Sequence, residues 1–574
     1  MSVRLRLGSS NAALDAAFDP LVARVLAHRG ISEPEQVDYQ LKKLLPYHSL
    51  KGIDKAVSLI ANALTSQQHI VIVGDFDCDG ATSTSLALLA LGAMGATNVS
   101  YLVPNRFDFG YGLSSALVEH AQSIAPDLII TVDNGIANHE GVERAHELGM
   151  KVVITDHHLA AETVPQADAI VNPNQPGCEF PYKSTAGVGV IFYVMSALRR
   201  QLQSQGWFEQ QNIAAPNMAQ YLDLVALGTV ADLVPMEHNN RILVAQGVAR
   251  IRAGKARPGL LALLAVAKRQ HYNLQATDLG FSVGPRLNAA GRLDDMSLGI
   301  ECLVSDNEHI AAQLAQELDE LNAQRRHIEA DMQQQAGTIL ARLEASQDEV
   351  MPRCLCLYDE QWHQGVVGIV ASRIKEKWHR PALVFAKGDD GHLKGSCRSI
   401  TGFHLRDALA VVDARHPGLI IKFGGHAMAA GLSIEEQHLE TFQNALNDYA
   451  KEQLSDSMLA QEWRSDGELN AKQLQINQAL LLQQAGPWGQ GFEEPTFHGR
   501  FALVQQRIVG EKHLKLVLAD VKTGELVDAI YFNIDLTVWP TSCEQADLVY
   551  RLDINEFRGR QSLQLMVQHM TPVG

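Results

Sequence analysis

The densest chemical signal in the chain is Gly74-Asp75-Phe76-Asp77-Cys78-Asp79-Gly80, which places three carboxylates at alternate positions behind the β-branched run Val71-Ile72-Val73. Residues two apart in extended backbone face one side. The spacing therefore predicts that Asp75, Asp77 and Asp79 converge at the carboxyl end of a strand, where open α/β sheets bind their ligands. Carboxylates crowded in this way need a positive counter-charge. Magnesium and manganese, hard cations that take oxygen ligands, are suited to supply it. A solvated Asp-rich turn is the plain alternative. A calcium loop is another, but it requires a bidentate Glu at its twelfth position, where this chain has Leu86.

Two more apolar runs end in similar chemistry. Leu128-Ile129-Ile130-Thr131-Val132 leads into Asp133-Asn134-Gly135, and Val152-Val153-Ile154-Thr155 leads into Asp156-His157-His158. A single buried histidine is usually a satisfied core residue, but adjacent histidines behind an Asp at a strand end favour a site. Asp232 follows the apolar helical run Tyr221 to Val230 and is a further candidate ligand, although alone it reads as a helix C-terminal or turn carboxylate.

These residues need a scaffold, and the pattern from about Ala56 supplies one. It alternates a helix to Leu64, strands at 70–74, 99–103, 128–132, 151–155 and 168–171, and helices at 83–94, 115–123 and 138–148. Buried strands separated by helices predict a parallel α/β sheet. Residues 1–50, broken by Pro20, Pro34 and Pro46, read as a packing extension without nameable chemistry. At 574 residues the chain requires several domains. Seven scattered cysteines form no C-x-x-C pair, which argues against a zinc ribbon or a disulfide framework. No apolar run is long enough to span a bilayer and the N-terminus lacks a signal-peptide segment, so a cytoplasmic protein is expected. The formal net charge of -17 argues against nucleic-acid binding by bulk charge but leaves room for a local basic groove.

Leu314, Leu318, Leu321, Ile328, Met332, Ile339 and Leu343 repeat at helical spacing and predict one long connecting helix over 307 to about 346. A second α/β unit follows, with strands at 354–358 and 382–386. It carries the glycine-containing clusters Trp362-His363-Gln364-Gly365-Val366-Val367-Gly368, Lys394-Gly395-Ser396-Cys397-Arg398 and Phe423-Gly424-Gly425-His426. Short strands at 500–508, 513–519, 526–532, 548–554 and 562–567 predict a small β-barrel. Its cations Arg507, Lys512, His513, Lys515, Arg551, Arg558 and Arg560 are interleaved with Phe532 and Phe557, the mixture an OB fold uses on single strands. In Gly284-Pro285-Arg286-Leu287-Asn288-Ala289-Ala290-Gly291-Arg292, the two arginines offer planar forks for phosphate and Asn288 a neutral donor.

In motif order, Gly74 to Gly80, Asp133, Asp156-His157-His158 and Asp232 resemble the DHH phosphoesterase superfamily, and the 284–292 segment resembles the arginine-rich motif of its RecJ branch. The glycine clusters resemble the DHHA1 substrate-binding domain. The resemblance implies a catalytic DHH domain over 51–305, a connecting helix over 306–348, a DHHA1 domain over 349–455 and an OB-type barrel over 456–574. It implies hydrolysis of single-stranded DNA from the 5′ end in recombination and repair, with two magnesium or manganese ions. Asp133 would bridge them, with Asp75 and Asp77 on one ion and Asp79, His157 and Asp232 on the other. It casts His158 as a phosphate-contacting or supporting histidine and leaves Asp156 to orient His157 or cap the turn. Arg106, Arg286, Ser396 and Arg398 would hold a 5′-terminal phosphate and Tyr111 would stack on a base, while Asn288, Arg292, His363 and His426 would line the substrate. Phe109 stands where relatives often carry an acidic residue. A single-strand-binding protein and a RecQ-type helicase are the partners implied, with the chain a monomer. A phosphoesterase for small substrates leaves the long helix and barrel without a use, and a metal-free fork protein does not need the complete ligand set.

Overall fold

The computed structural model describes residues 2–104, 112–345, 351–388, 390–510, 512–534, 539 and 543–573. They form two compact units, Val3–Asp319 with Trp463–Gly574, and Glu320–Glu462. Arg106 and Tyr111 lie outside the described residues.

The first unit is built on a five-stranded parallel sheet ordered Val99–Leu102, Ile70–Val73, Leu128–Val132, Lys151–Thr155, Ala169–Val171. Ile70–Val73 and Leu128–Val132 are buried along their whole length, the pattern of strands covered on both faces. From Ile70–Val73 the chain first adds a strand on one side, then returns to add the others on the opposite side. The reversal makes the gap between Ile70–Val73 and Leu128–Val132 the topological switch point, where such sheets hold their ligands.

The helix expected over 83–94 begins earlier and runs Cys78–Ala93. Asp77 is its N-cap, accepting the N–H groups of Asp79 and Gly80 at 2.9 and 3.0 Å. The Asp-rich segment is therefore not an extended strand end throughout: Asp79 occupies the first helical turn, and helical rather than alternating geometry brings it round.

Residues 1–50 include the helices Ala12–Ala17 and Pro20–Ala27. They are tied to the later chain through Asp466, whose buried carboxylate takes both terminal nitrogens of buried Arg29 at 2.9 and 3.0 Å, His28 Nδ1 at 2.9 Å and the Thr496 N–H at 3.0 Å. The same unit contains the predicted barrel, closed in the order Phe497–Val509, His513–Asp520, Leu526–Tyr531, Arg560–Val573, Gln545–Phe557.

The long helix runs Glu308–Ala345 without a break at Gly337 and passes from the first unit into the second. The second unit carries a mixed sheet ordered Lys422–Gly425, Ala429–Ile434, Leu393–Arg398, Ala382–Lys387, Leu355–Tyr358. Along Leu393–Arg398 the buried residues are Leu393, Gly395 and Cys397, which leaves Lys394, Ser396 and Arg398 on the opposite face.

Candidate active site

Asp75 follows the Ile70–Val73 strand and Asp133 the neighbouring Leu128–Val132 strand, one on each side of the switch point. Asp133 turns back through a left-handed conformation, φ 62°, which an Asp tolerates better than most residues. Asn134 secures the two strand ends by donating to Val73 O at 3.0 Å and Val132 O at 2.9 Å.

Asp79 accepts the N–H groups of Gly187 at 2.7 Å and Val188 at 3.0 Å, at the start of the 18-residue helix Gly187–Ser204. The positive end of a helix is a favourable seat for a carboxylate. Asp232 has the opposite surroundings, since it caps the C-terminus of Leu222–Ala231, where the helix dipole disfavours negative charge. An Asp kept at such a place among other carboxylates points to a ligand rather than a cap.

The close approach depends on absent side chains. A Cβ on Gly187 would lie 2.7 Å from Asp133 Cβ and Oδ1, and one on Gly228 would collide with Thr82 Oγ1 and lie 2.7 Å from Asp79 Oδ1. Asn172 and Asn174 hold the paired histidines from behind, donating to His158 O at 3.0 Å and His157 O at 2.6 Å. Sequence reasoning singled out none of these four positions. The Asn172-Pro173-Asn174 turn directly after a strand was the available signal for two of them.

Ligand atoms of three groups lie within 4.8 Å of one another: Asp75, Asp77 and Asp133; Asp79, His157 and Asp232; and Asp133, His157 and His158. His157 Nε2 is 3.1 Å from Asp133 Oδ1, 3.5 Å from Asp232 Oδ2 and 4.0 Å from Asp79 Oδ2. Asp133 and His157 thus belong to more than one group. Asp156 holds the ring of the second histidine: its Oδ1 accepts His158 Nδ1 at 2.7 Å and the backbone N–H groups of His157 and His158, while Oδ2 accepts the Ile136 N–H. It caps the turn, as one expectation had it, and does not touch the His157 ring.

Charge crowding is evident in the acidities. Burial, reinforced by the Asp77 charge, pushes Asp79 up to about 7. Burial and the neighbouring carboxylates hold Asp133 and Asp232 well above the usual carboxylate range. Burial and then the His158 charge bring His157 down to about 4, leaving a neutral ring of the kind that binds metals. Burial also opposes charge on His158, but the Asp156 hydrogen bond and charge outweigh it and hold the ring at about 9. Carboxylate oxygens with one neutral imidazole suit magnesium or manganese, and two positive ions would remove the repulsion that raises these carboxyls.

The amide oxygen of Asn288 accepts the Cys78 N–H at 2.8 Å and fastens the Gly284–Leu293 helix to the Asp-rich loop. Arg286 is ion-paired to Asp319 at 2.7 Å, and Arg292 lies on the same helix. On the barrel, exposed Arg507 pairs across strands with Lys515, and His513 meets the Phe532 ring edge-on at 5.1 Å. Arg551 departs from the expected basic face, being ion-paired to Glu494.

In the second unit, Arg398 Nη1 donates to Ser396 Oγ at 3.2 Å and Cys397 O at 2.8 Å, and it has no carboxylate partner among the described residues. Burial lowers its pKa. A Cβ on Gly368 would lie 3.0 Å from Ser396 Oγ and 3.1 Å from Arg398 Nη2, so the first turn of the helix Val367–Trp378 backs directly onto this pair. His363 Nδ1 accepts the Gly365 N–H at 3.1 Å, and His426 is exposed beside the Lys422–Gly425 strand.

A parallel sheet with a carboxylate and histidine cluster at its switch point, followed by a glycine-rich mixed-sheet unit, defines a phosphoesterase of the DHH class. The sequence models for the DHH family N-terminal domain, the DHHA1 domain and the RecJ OB domain match residues 69–229, 351–452 and 465–569. The single-stranded-DNA-specific exonuclease RecJ of Escherichia coli strain K12 is 52% identical over 574 residues, covering 100% of this chain and 99% of its own length. Crystal structures of Thermus thermophilus RecJ in complex with Mn2+ and with Mg2+ superpose with TM-scores of 0.80 and 0.74 at 30% and 28% identity, covering 100% of this chain and 80% and 79% of theirs. The chain belongs to the RecJ family.

Proposed function

We infer that the chain is a metal-dependent exonuclease that hydrolyses single-stranded DNA from the 5′ end, in recombination and repair. The observation that carries this reading is the pair of ligand groups, Asp75–Asp77–Asp133 and Asp79–His157–Asp232, set side by side around Asp133 at the sheet's switch point. Magnesium or manganese ions held by these residues would supply the Lewis acidity that phosphodiester hydrolysis needs. Asp75, Asp77 and Asp133 would hold one ion, and Asp79, His157 and Asp232 another, with Asp133 placed to serve both. Asp156 fixes His158 through Nδ1, and His158 would contact a phosphoryl oxygen of the scissile group.

Ser396 and Arg398 take the 5′-terminal phosphate, which offers more oxygens and more charge than an internal one. Arg106, Arg286, Arg292 and Asn288 act along the backbone, Tyr111 stacks on a base, and His363 and His426 contact the substrate. The basic edge of the barrel adds affinity for longer strands. The family resemblance supports a cytoplasmic monomer that works with a single-strand-binding protein and a RecQ-type helicase. No helix among the described residues is long and apolar enough to cross a membrane.

The test compares end-labelled linear single strands, blunt duplex, a dinucleotide and circular single-stranded DNA, each with Mg2+ or Mn2+. Linear single strands should be degraded to mononucleotides from the 5′ end while the circle survives. Efficient cutting of the circle would overturn end dependence, since a circle has no end to hold.

A further inference from the structure

A cavity of about 530 Å³ lies in the first unit between the segment 269–281 and the barrel strand Gln545–Phe557, apart from the carboxylate cluster. Phe281 and Tyr272 line it and are 80% and 56% exposed. A single exposed aromatic needs no explanation. Two on one cavity, beside the arginines Arg252, Arg269 and Arg551, do.

The arginines do not make this a phosphate site. Arg269 is 3.3 Å from Asp278 and donates from Nε to Ser282, Arg551 is paired to Glu494, and Arg252 donates from Nε to Leu274 O at 2.7 Å. The lining adds Asp553 and Glu556 to Asp278 and Glu494, so four carboxylates face three guanidinium groups. A phosphate would gain little there, whereas a neutral planar ligand would find ring faces to stack on, guanidinium planes beside it and a hydrogen-bonding rim. The unstacked bases of a single strand have this character.

We propose that this cavity takes a base of the DNA strand a short way downstream of the scissile bond, stacking it against Phe281 and Tyr272. Position supports the assignment. The π-helical turn Leu279–Val283 runs directly into Gly284–Leu293, whose Asn288 holds the Asp-rich loop. Phe281 therefore stands in the helical segment that leads to the loop bearing the carboxylate cluster.

The test uses the full chain without metal, so that nothing is cleaved. Its affinity is measured for 5′-phosphorylated strands that each carry one abasic nucleotide at a successive position. Loss of one stacked base is worth about 1–3 kcal/mol, so affinity should fall roughly fivefold to a hundredfold at one or two adjacent positions and little elsewhere. Phe281→Ala and Tyr272→Ala should weaken the intact strand and flatten that profile, and Phe281→Tyr should restore it. Because Phe281 is largely exposed, its truncation leaves no core void. A flat profile in the wild type overturns the proposal. So does a peak that persists unchanged in both alanine variants, which would place the stacking elsewhere and leave this cavity to a protein side chain.

Discussion

Replacing Gly187 by alanine separates the architecture of the carboxylate cluster from the stability of the fold. Gly187 opens the helix Gly187–Ser204 with an ordinary backbone conformation, so the added methyl creates no backbone strain. Helix propensity favours Ala over Gly by about 1 kcal/mol. Against this, the new Cβ would sit 2.7 Å from Asp133 Cβ and Oδ1, and overpacking of this kind costs about 1–3 kcal/mol. The net change in stability should therefore be about 0–2 kcal/mol, well within what a folded protein tolerates. The catalytic cost should be larger. The clash is relieved only by moving the Asp133 carboxylate or the backbone N–H that Gly187 donates to Asp79, and both belong to the cluster. Misplacing a reacting group by about 1 Å costs on the order of a hundredfold. The assay pairs denaturant unfolding with single-turnover release of the 5′-terminal nucleotide at saturating Mn2+. A folded variant that keeps more than about a third of the wild-type rate would refute the reasoning, because the clash would then be absorbed without disturbing geometry.

Four further outcomes are expected. Asp133→Ala should fold normally and retain less than a few per cent of wild-type cleavage at any Mg2+ or Mn2+ concentration, checked with end-labelled strands. Chelating the metal should lower thermal stability in the wild type far more than in Asp133→Ala, read by calorimetry with and without EDTA. Arg398→Ala should raise KM for 5′-phosphorylated strands and narrow their advantage over 5′-hydroxyl strands, with metal affinity unchanged by titration calorimetry. Asp466→Asn should destabilise the chain by about 3–5 kcal/mol, since it leaves Arg29 buried without its counter-charge. Burial opposes charge on Asp466, but Arg29, Thr496 and His28 outweigh it and lower its pKa. Its contribution is therefore complete above the unfolded carboxylate value of about 3.9 and disappears as pH falls through the lower folded value. Wild-type and Asp466→Asn stabilities should accordingly converge in strong acid, as followed by unfolding curves between neutral pH and about pH 2.

The chemistry was the most legible part of the sequence because ligands of a sheet site collect at strand ends. Apolar runs ending in Asp75, Asp133 and Asp156 located the site before any contact was known, and the strand pattern from residue 70 to 171 emerged almost to the residue. Local geometry was harder to read. Alternation suggested that Asp75, Asp77 and Asp79 share one extended face, yet Asp77 captures two N–H groups and starts a helix at the very next residue. Which histidine Asp156 holds depends on a turn that periodicity does not describe. Gly187 and Gly228 lie far along the chain from the residues they crowd, and glycines in apolar helices carry no pattern of their own. The partners of Arg286 and Arg551 were equally hidden, since ion pairs between residues well apart in sequence leave no local trace.

The anchoring of Arg6, His28 and Arg29 to residues near 466 has a consequence for biosynthesis. The Arg6 N–H donates to Ser465 O, and Arg29 finds its counter-charge in Asp466. Ribosomes deliver the chain from its N-terminus, and domains tend to close as they emerge. Here the opening helices are made first and completed late, after the whole of Glu320–Glu462 has been translated. That contiguous stretch forms a compact unit of its own. The apolar face of Pro20–Ala27, with Leu21, Val22, Val25 and Leu26 destined for burial, is left waiting until then. A ribosome stalled shortly before codon 463 would hold a chain whose opening helices are still open to protease, and one stalled after Phe497–Val509 has cleared the exit tunnel would not.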